Sequence, residues 1–234
     1  ASADPGIEIV GIAEGDAAFR REHEQHLGVE VRYSDHTELL DAEQFEVLVA
    51  CEEFGRRGQV AIDALKAGRH VFSDKPLCTR EEDLREIASL SAESGLEVGV
   101  DLSLCAYWGS CSAPLREGAI GEIVSCRVAG PHALLYGSRP KWYYEPGMHG
   151  GVINDLLGHG VDYCRWVCGK EITHVLSAAT ACVGLPQRPA FETVGMVHYQ
   201  MEGTTAICGY ADYLVPAGHS TGWQCLFVGT EGDA

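Results

Sequence analysis

Asp155, His159 and Asp162 lie in the run Gly150-Gly151-Val152-Ile153-Asn154-Asp155-Leu156-Leu157-Gly158-His159-Gly160-Val161-Asp162, at spacings of four and three. On a helix those spacings put all three side chains on one face. A carboxylate beside an imidazole on a rigid element is a proton-transfer pair, because imidazole changes protonation near neutral pH. Upstream, Ser73-Asp74-Lys75-Pro76-Leu77 follows an apolar run that reads as a strand. A lysine at the carboxyl end of such a strand points into the crevice where open α/β sheets bind ligands. Pro76 biases Lys75 toward an extended backbone. A base, an orienting acid and a cation are therefore expected at one pocket. A histidine among apolar residues is often only a satisfied core group. The glycines at 150, 151, 158 and 160 favour the functional reading. Each weakens a helix interior by roughly 1 kcal/mol, and they make sense where a ligand or another backbone comes close.

Glu14 ends the first strand-like run, where a dinucleotide-binding βαβ unit uses an acid to accept hydrogen bonds from ribose hydroxyls. The alternative is a helix-capping acid. Gly15 follows with no adjacent arginine to hold a 2′-phosphate, and Arg20 and Arg21 come later. The pattern leans toward NAD over NADP. The Gly-rich phosphate loop belongs ~20 residues ahead of such an acid. Only 13 residues precede Glu14, so this chain is expected to lack that loop.

The elements that must position these residues follow from periodicity. Strands are expected at 7–13, 29–33, 45–51, 70–73 and 96–100, alternating with helices at 16–27, 56–67 and 80–93, the last two closed by Gly68 and Gly95. Strand and helix in alternation mean parallel βαβ units. After Asp101 the rhythm changes. A helix is expected near 110–117 and a strand at 122–129. A loop rich in Gly, Pro and aromatics (Tyr136, Trp142, Tyr143, Tyr144) then leads into the Asp155–His159 helix. Four strand-like runs follow, at 171–180, 193–200, 204–213 and 224–228. Strands without intervening helices point to a mostly antiparallel sheet. The expectation is an α/β chain with a doubly wound parallel half, residues 1–101, and an α+β half, residues 102–234.

Composition narrows the function classes. Net charge is −17, from 34 acidic and 17 basic residues. Nucleic acid is excluded as a partner, since it needs clustered cations to replace counterions. No apolar run approaches the ~18–20 residues of a membrane helix. Ten cysteines are scattered with no CxxC pair. Cys164 and Cys168, four apart on one helix face, could hold a metal. The preferred reading is small apolar residues in a reduced cytoplasmic protein with no metal. The chain lacks an initiator Met, its first residues run straight into a strand, and it stops on a strand and turn. A piece cut at both ends is expected, one that binds cofactor poorly and exposes a sheet edge.

Asp74-Lys75-Pro76, followed by Gly150-Gly151, Asp155, Gly158-His159 and Asp162, resembles the glucose–fructose oxidoreductase / inositol dehydrogenase / MocA family. Ala64-Leu65-Lys66-Ala67-Gly68-Arg69-His70-Val71 and Gly118-Ala119-Ile120-Gly121-Glu122-Ile123 are similar to its framework, so the likeness covers nearly the whole chain. It implies a partial Rossmann-type domain followed by an α+β domain with a large, mostly antiparallel open sheet that forms a homo-oligomer, dimer or tetramer. It implies hydride transfer between NAD, or alternatively NADP, and a secondary alcohol of a sugar or cyclitol.

Carried over, Lys75, Asp155 and His159 are the catalytic set. Glu14, Cys51, Asp74, Lys75 and Pro76 contact the cofactor. Lys75, Asp101, Trp142, Asp155 and His159 contact substrate. The sequence departs from the family at Asp74, where Glu is usual. It departs again at Cys51-Glu52-Glu53-Phe54-Gly55-Arg56-Arg57, which changes the cofactor contacts, and at Asp101-Leu102-Ser103-Leu104, which leaves the substrate open. Two other functions fit the same scaffold: a glycoside hydrolase that uses NAD transiently, and a ligand-binding relative without catalysis. An intact Lys75, Asp155 and His159 favours an enzyme, since a pure binder has no need of a proton-transfer set.

Overall fold

A computed structural model of the chain describes residues 6–219 and 222–234. The lead-in at 1–5 lies outside the described residues. The chain divides into two compact units. The first takes Ala1–Glu52, Arg56–Ser73 and Glu81–Gly99. The second takes Glu53–Gly55, Asp74–Arg80 and Val100–Ala234. Lys75 thus belongs to the second unit, although it lies inside the stretch whose rhythm is βαβ.

In the first unit, β1 (Ile12–Ala13) pairs in parallel with β2 (Val31–Tyr33), and β3 (Val47–Ala50), β4 (His70–Ser73) and β5 (Val98–Val100) form a second sheet in that order. Their helices are α1 (Ala17–Leu27), α2 (His36–Ala42), α3 (Phe54–Lys66) and α4 (Glu81–Ser94). β1 is far shorter than the expected strand at 7–13. Its partner β2 offers three residues and the register shifts between Ile12 and Ala13, so only two residues join the ladder. Asp16 caps α1 by accepting from the Ala18 N–H. The expected elements omitted α2. Its signal is side-chain capping: Asp35 Oδ1 accepts from the Thr37 and Glu38 N–H groups, and the Glu38 carboxylate accepts from the Ser34 N–H just ahead of the cap.

The second unit is built on one five-stranded sheet. Its strands are β6 (Ile123–Pro131), β7 (Ile172–Ala181), β8 (Val194–Met201), β9 (Ala206–Asp212) and β10 (Gln224–Gly229), in the order β10-β6-β9-β8-β7. β6 and β9 run parallel and every other pair is antiparallel, a mixed, mostly antiparallel sheet as expected. Burial alternates along the inner strands: Cys126 and Val128 on β6, and Ile207 and Ala211 on β9, turn inward. Against that face lies α7 (Gly158–Cys168), whose buried Gly160, Tyr163, Cys164 and Val167 recur at helical spacing. The short helix α6 (Ala113–Arg116) stands where a helix near 110–117 is expected, and α5 (Leu104–Trp108), ahead of it, was not expected. Edge strand β7 is exposed along nearly its whole length.

The glycine at 160 is required by packing. A Cβ there would come within 2.3 Å of Val128 Cγ2 and 3.1 Å of the Trp223 ring. Alanine is the better helix former by about 1 kcal/mol, but overpacking a filled core costs about 1–3 kcal/mol. Gly160→Ala is therefore expected to be less stable than the parent in a urea melt; equal or greater stability would contradict this packing.

Candidate active site

The segment carrying Asp155 is not a plain α-helix. Ile153–Leu157 wind as one π-helical turn before α7 begins at Gly158. Such wide turns recur at functional sites. Ahead of it, Gly150 and Gly151 sit at φ values of 79° and 87°, in the left-handed region. The close approach expected at these glycines is made by the protein itself. A Cβ on Gly150 would meet Thr79 Cγ2 at 2.8 Å, and one on Gly151 would meet Glu192 Oε2 at 2.6 Å.

Asp155 is buried, and its partners are the centre of the site. Lys75 Nζ donates to Asp155 Oδ1 at 2.5 Å and to its backbone oxygen at 3.1 Å. Asp155 Oδ2 accepts from the Tyr143 hydroxyl at 2.9 Å and from the Tyr213 hydroxyl in a very short contact. His149 Nε2 lies 3.4 Å from the same oxygen and 3.0 Å from Tyr213 Oη. Burial alone would push the carboxyl pKa up. The hydrogen bond from His149, the Lys75 ammonium and the Tyr213 hydroxyl more than offset it and hold Asp155 well below the usual carboxylate range. The two phenols move the other way: burial and the Asp155 charge raise both, so each keeps its proton.

Among the described residues none of Asp155's hydrogen bonds goes to His159. The helical acid–imidazole pair expected from the spacing is a proximity of charges and not a contact. His159 is half-buried, its ring 5.8 Å from that of Trp223, and its Nδ1 is buried with no hydrogen-bond partner among the described residues. Burial, then the Lys75 ammonium, lower its pKa; Asp155, Asp101 and Asp74 pull the other way more weakly. Lys75, Asp155, Asp101 and Asp74 are thus each within electrostatic reach of His159. Asp162 is not part of the group: Cys105 Sγ donates to it at 3.3 Å and Arg165 pairs with it at 3.6 Å.

The remaining expected site residues have local positions. Asp74 Oδ1 accepts from the Lys75 N–H at 2.7 Å and so shapes the turn that presents Lys75; the Lys75–Pro76 peptide is cis and Pro76 is buried. Trp142 is half-buried edge-on to Phe54, 5.1 Å between ring centres. Phe54 also lies 5.8 Å from Lys75 Nζ. In the first unit Glu14 follows β1. Its Oε1 accepts from the Asp16 N–H at 2.7 Å, and its Oε2 lies 3.5 Å from His23 Nε2. The cap of α1 is Asp16, and Glu14 supports it by accepting from its N–H. Cys51 directly follows β3 and is exposed. A cleft of about 400 Å³ flanks the π-turn, lined by Gly150, Gly151, Asn154, Gly158 and Tyr199; Lys75, Asp155 and His159 do not line it.

Sequence reasoning missed His149, Tyr213 and the role of Tyr143. His149 adjoins the Gly150-Gly151 pair, which was the one available local signal. Tyr213 carried none, because it meets Asp155 across 58 residues of chain.

A βαβ unit with an acid at the end of its first strand is joined in one chain to a sheet unit bearing a half-buried lysine on a buried carboxylate near an imidazole, the pattern of a dinucleotide-binding α/β protein. Residues 1–102 match the oxidoreductase family's NAD-binding Rossmann fold, and residues 112–234 match the GFO/IDH/MocA C-terminal domain. The chain belongs to the GFO/IDH/MocA oxidoreductase family. It is 26% identical over 170 residues to a myo-inositol 2-dehydrogenase of Thermotoga maritima, covering 70% of this chain and 48% of that protein. It is 28% identical over 174 residues to a 1,5-anhydro-D-fructose reductase of Ensifer adhaerens, covering 71% and 50%. The fold matches that of a myo-inositol 2-dehydrogenase from Lactobacillus plantarum at a TM-score of 0.83 and 18% identity, over 98% of this chain and 68% of that one. The chain spans about half the length of the curated relatives it matches. Among the described residues no helix is long and apolar enough to cross a membrane.

The lowered pKa of His159 has a direct check. Unfolded, a histidine titrates near 6.5. Folded, His159 is expected to titrate lower, so the stability tied to its neutral form is present above about 6.5 and lost as pH falls through the folded value. Following its ring protons by NMR, Lys75→Met is expected to raise the His159 pKa, because a repelling cation is removed. A fall, or no change, would contradict the assignment.

Proposed function

We propose that this protein is an NAD(P)-linked oxidoreductase acting on a secondary alcohol of a sugar or cyclitol. Residues 1–101 would be the cofactor domain and residues 102–234 the substrate and oligomerisation domain. The observation that carries the reading is the half-buried Lys75 paired with the buried Asp155, beside a His159 whose pKa is lowered. His159, neutral at pH 7, takes the hydroxyl proton. The Lys75 ammonium stabilises the developing alkoxide. Asp155 holds Lys75, since its own oxygens are already engaged. Asp101 and Trp142 stand as further substrate contacts. When bound, the nicotinamide supplies hydride chemistry, and Glu14, Cys51, Asp74, Lys75 and Pro76 would hold the dinucleotide. NAD is preferred over NADP. Arg20 donates its Nε–H to the Glu14 backbone oxygen at 2.6 Å, which commits that nitrogen locally.

The substrate class is supported by relatives named for myo-inositol and 1,5-anhydro-D-fructose. A reduced cytoplasmic setting agrees with ten free cysteines. A homo-oligomer through the C-terminal sheet agrees with edge strand β7, which leaves Val175 and Leu176 62% and 60% exposed. Sedimentation is expected to give a dimer or tetramer, and a monomer at micromolar concentration would remove that part of the proposal.

The central test is a panel of polyols and sugars with NAD and NADP, run on a version of the protein that spans the full length of its relatives and read by reduced-nicotinamide absorbance. At least one substrate is expected to turn over, with His159→Ala or Lys75→Met lowering kcat/KM by about 10²–10⁴-fold, the usual contribution of a positioned proton-transfer group. Near-normal turnover in both variants would sink the role assignment. Release of an aglycone with no net reduction would point to the hydrolase instead.

A further inference from the structure

The mechanism above uses Lys75, Asp155 and His159. It leaves unexplained a second buried histidine, His149, only 6% exposed. Its ring is enclosed by aromatic neighbours: Tyr143 at 4.5 Å between ring centres, Phe191 at 4.9 Å, Tyr213 at 5.8 Å and Phe54 at 6.0 Å. Its Nε2 faces two oxygens, Tyr213 Oη and Asp155 Oδ2.

Counting protons decides what His149 does there. A phenol has one proton to give. The Asp155 carboxylate is ionised and can only accept, and the Tyr213 hydroxyl donates to its Oδ2. Tyr213's only proton is therefore committed to Asp155. Toward His149 it offers only a lone pair. Two facing lone pairs in a buried site would leave both atoms unsatisfied. His149 Nε2 must carry a hydrogen and donate it. The same holds if Tyr143, whose hydroxyl is 3.1 Å from Tyr213 Oη, gives its proton to Tyr213, because the phenol oxygen keeps a second lone pair for His149.

We propose that His149 is a positioning residue of the Lys75–Asp155 centre: protonated on Nε2, it donates into the Tyr213–Asp155 cluster, fixes the outer carboxylate oxygen and so aims the inner one at Lys75. With Oδ2 saturated by donors, Asp155 is kept from taking the substrate proton, which goes to His159. The kinetic side of this inference rests on the dehydrogenase reading; the proton on Nε2 does not.

Two variants separate the donor from the ring. His149→Phe keeps an aromatic ring in the enclosure and deletes the donor. His149→Gln loses the ring and returns an N–H near Nε2. A positioning role predicts that kcat falls on the order of 10–100-fold in His149→Phe, the scale of one buried polar partner left unmade, with KM little changed, and that His149→Gln recovers most of the loss. It also predicts that adding His149→Phe to Tyr213→Phe costs no more than Tyr213→Phe alone, since one acts through the other. A merely structural role predicts the reverse order, with Phe active and Gln impaired, and additive losses; either result overturns the inference. The ¹⁵N spectrum of the histidines in the unmutated protein gives a readout free of activity and of variant folding. A His149 proton on Nε2 is expected, and a proton on Nδ1 alone overturns the inference. If the version spanning the full length of its relatives turns over no polyol, the dehydrogenase reading falls, and the spectrum still decides whether His149 is the donor.

Discussion

The rest of the second unit is arranged around one buried charge, the Asp155 carboxylate. An ionised carboxylate taken out of water costs several kcal/mol even after relaxation, and only a partner charge with well-made hydrogen bonds offsets that. Lys75 supplies the charge. Tyr143, Tyr213 and His149 supply the hydrogen bonds. These donors come from separate places: the turn after β4, the 3-10 turn at Lys141–Tyr144, the loop ahead of the π-turn and the residue after β9. Each of those segments must arrive for the charge to be tolerated. The anion therefore makes the fold of this region cooperative around the site as well as serving it.

The same arrangement divides chemical labour between two titratable groups on one helical segment. Asp155 is stripped of any tendency to accept a proton by the donors that surround it. His159, close by but bonded to none of them, is held neutral by burial and by the Lys75 cation. A locked anion and an available base four residues apart have opposite duties because their neighbours differ. Environments of this kind are how a site separates groups of similar position into distinct roles. Trp223, lying over the glycine at 160 and edge-on to His159, limits where that ring can go.

Much of the fold was legible. Alternating runs before Asp101 read as parallel βαβ units, and the four late strands fall within a residue or two of their expected places. What was missed was short or capped by side chains. α2 spans His36–Ala42 and announces itself through Asp35 and Glu38 more than through apolar periodicity; α5 spans only Leu104–Trp108. β1 shrank to two residues because strand length is decided by the partner as well as by the strand. Asp162, on the expected face of the helix, turned out to answer Cys105 and Arg165.

By itself the sequence determined which residue types were available for chemistry and on which elements they would ride. Lys75 after a strand, and Asp155 and His159 near the start of a helix, follow from local spacing and from backbone preferences that act over a few residues. Only the tertiary structure decided who touches whom. Lys75 reaches Asp155 across 80 residues of chain and Tyr213 reaches it across 58. His149 acquired its partners only when β9 and the aromatic turn packed around it. Those contacts are settled by the requirement that a buried charge find every donor it needs, a condition on the folded whole that no local pattern carries.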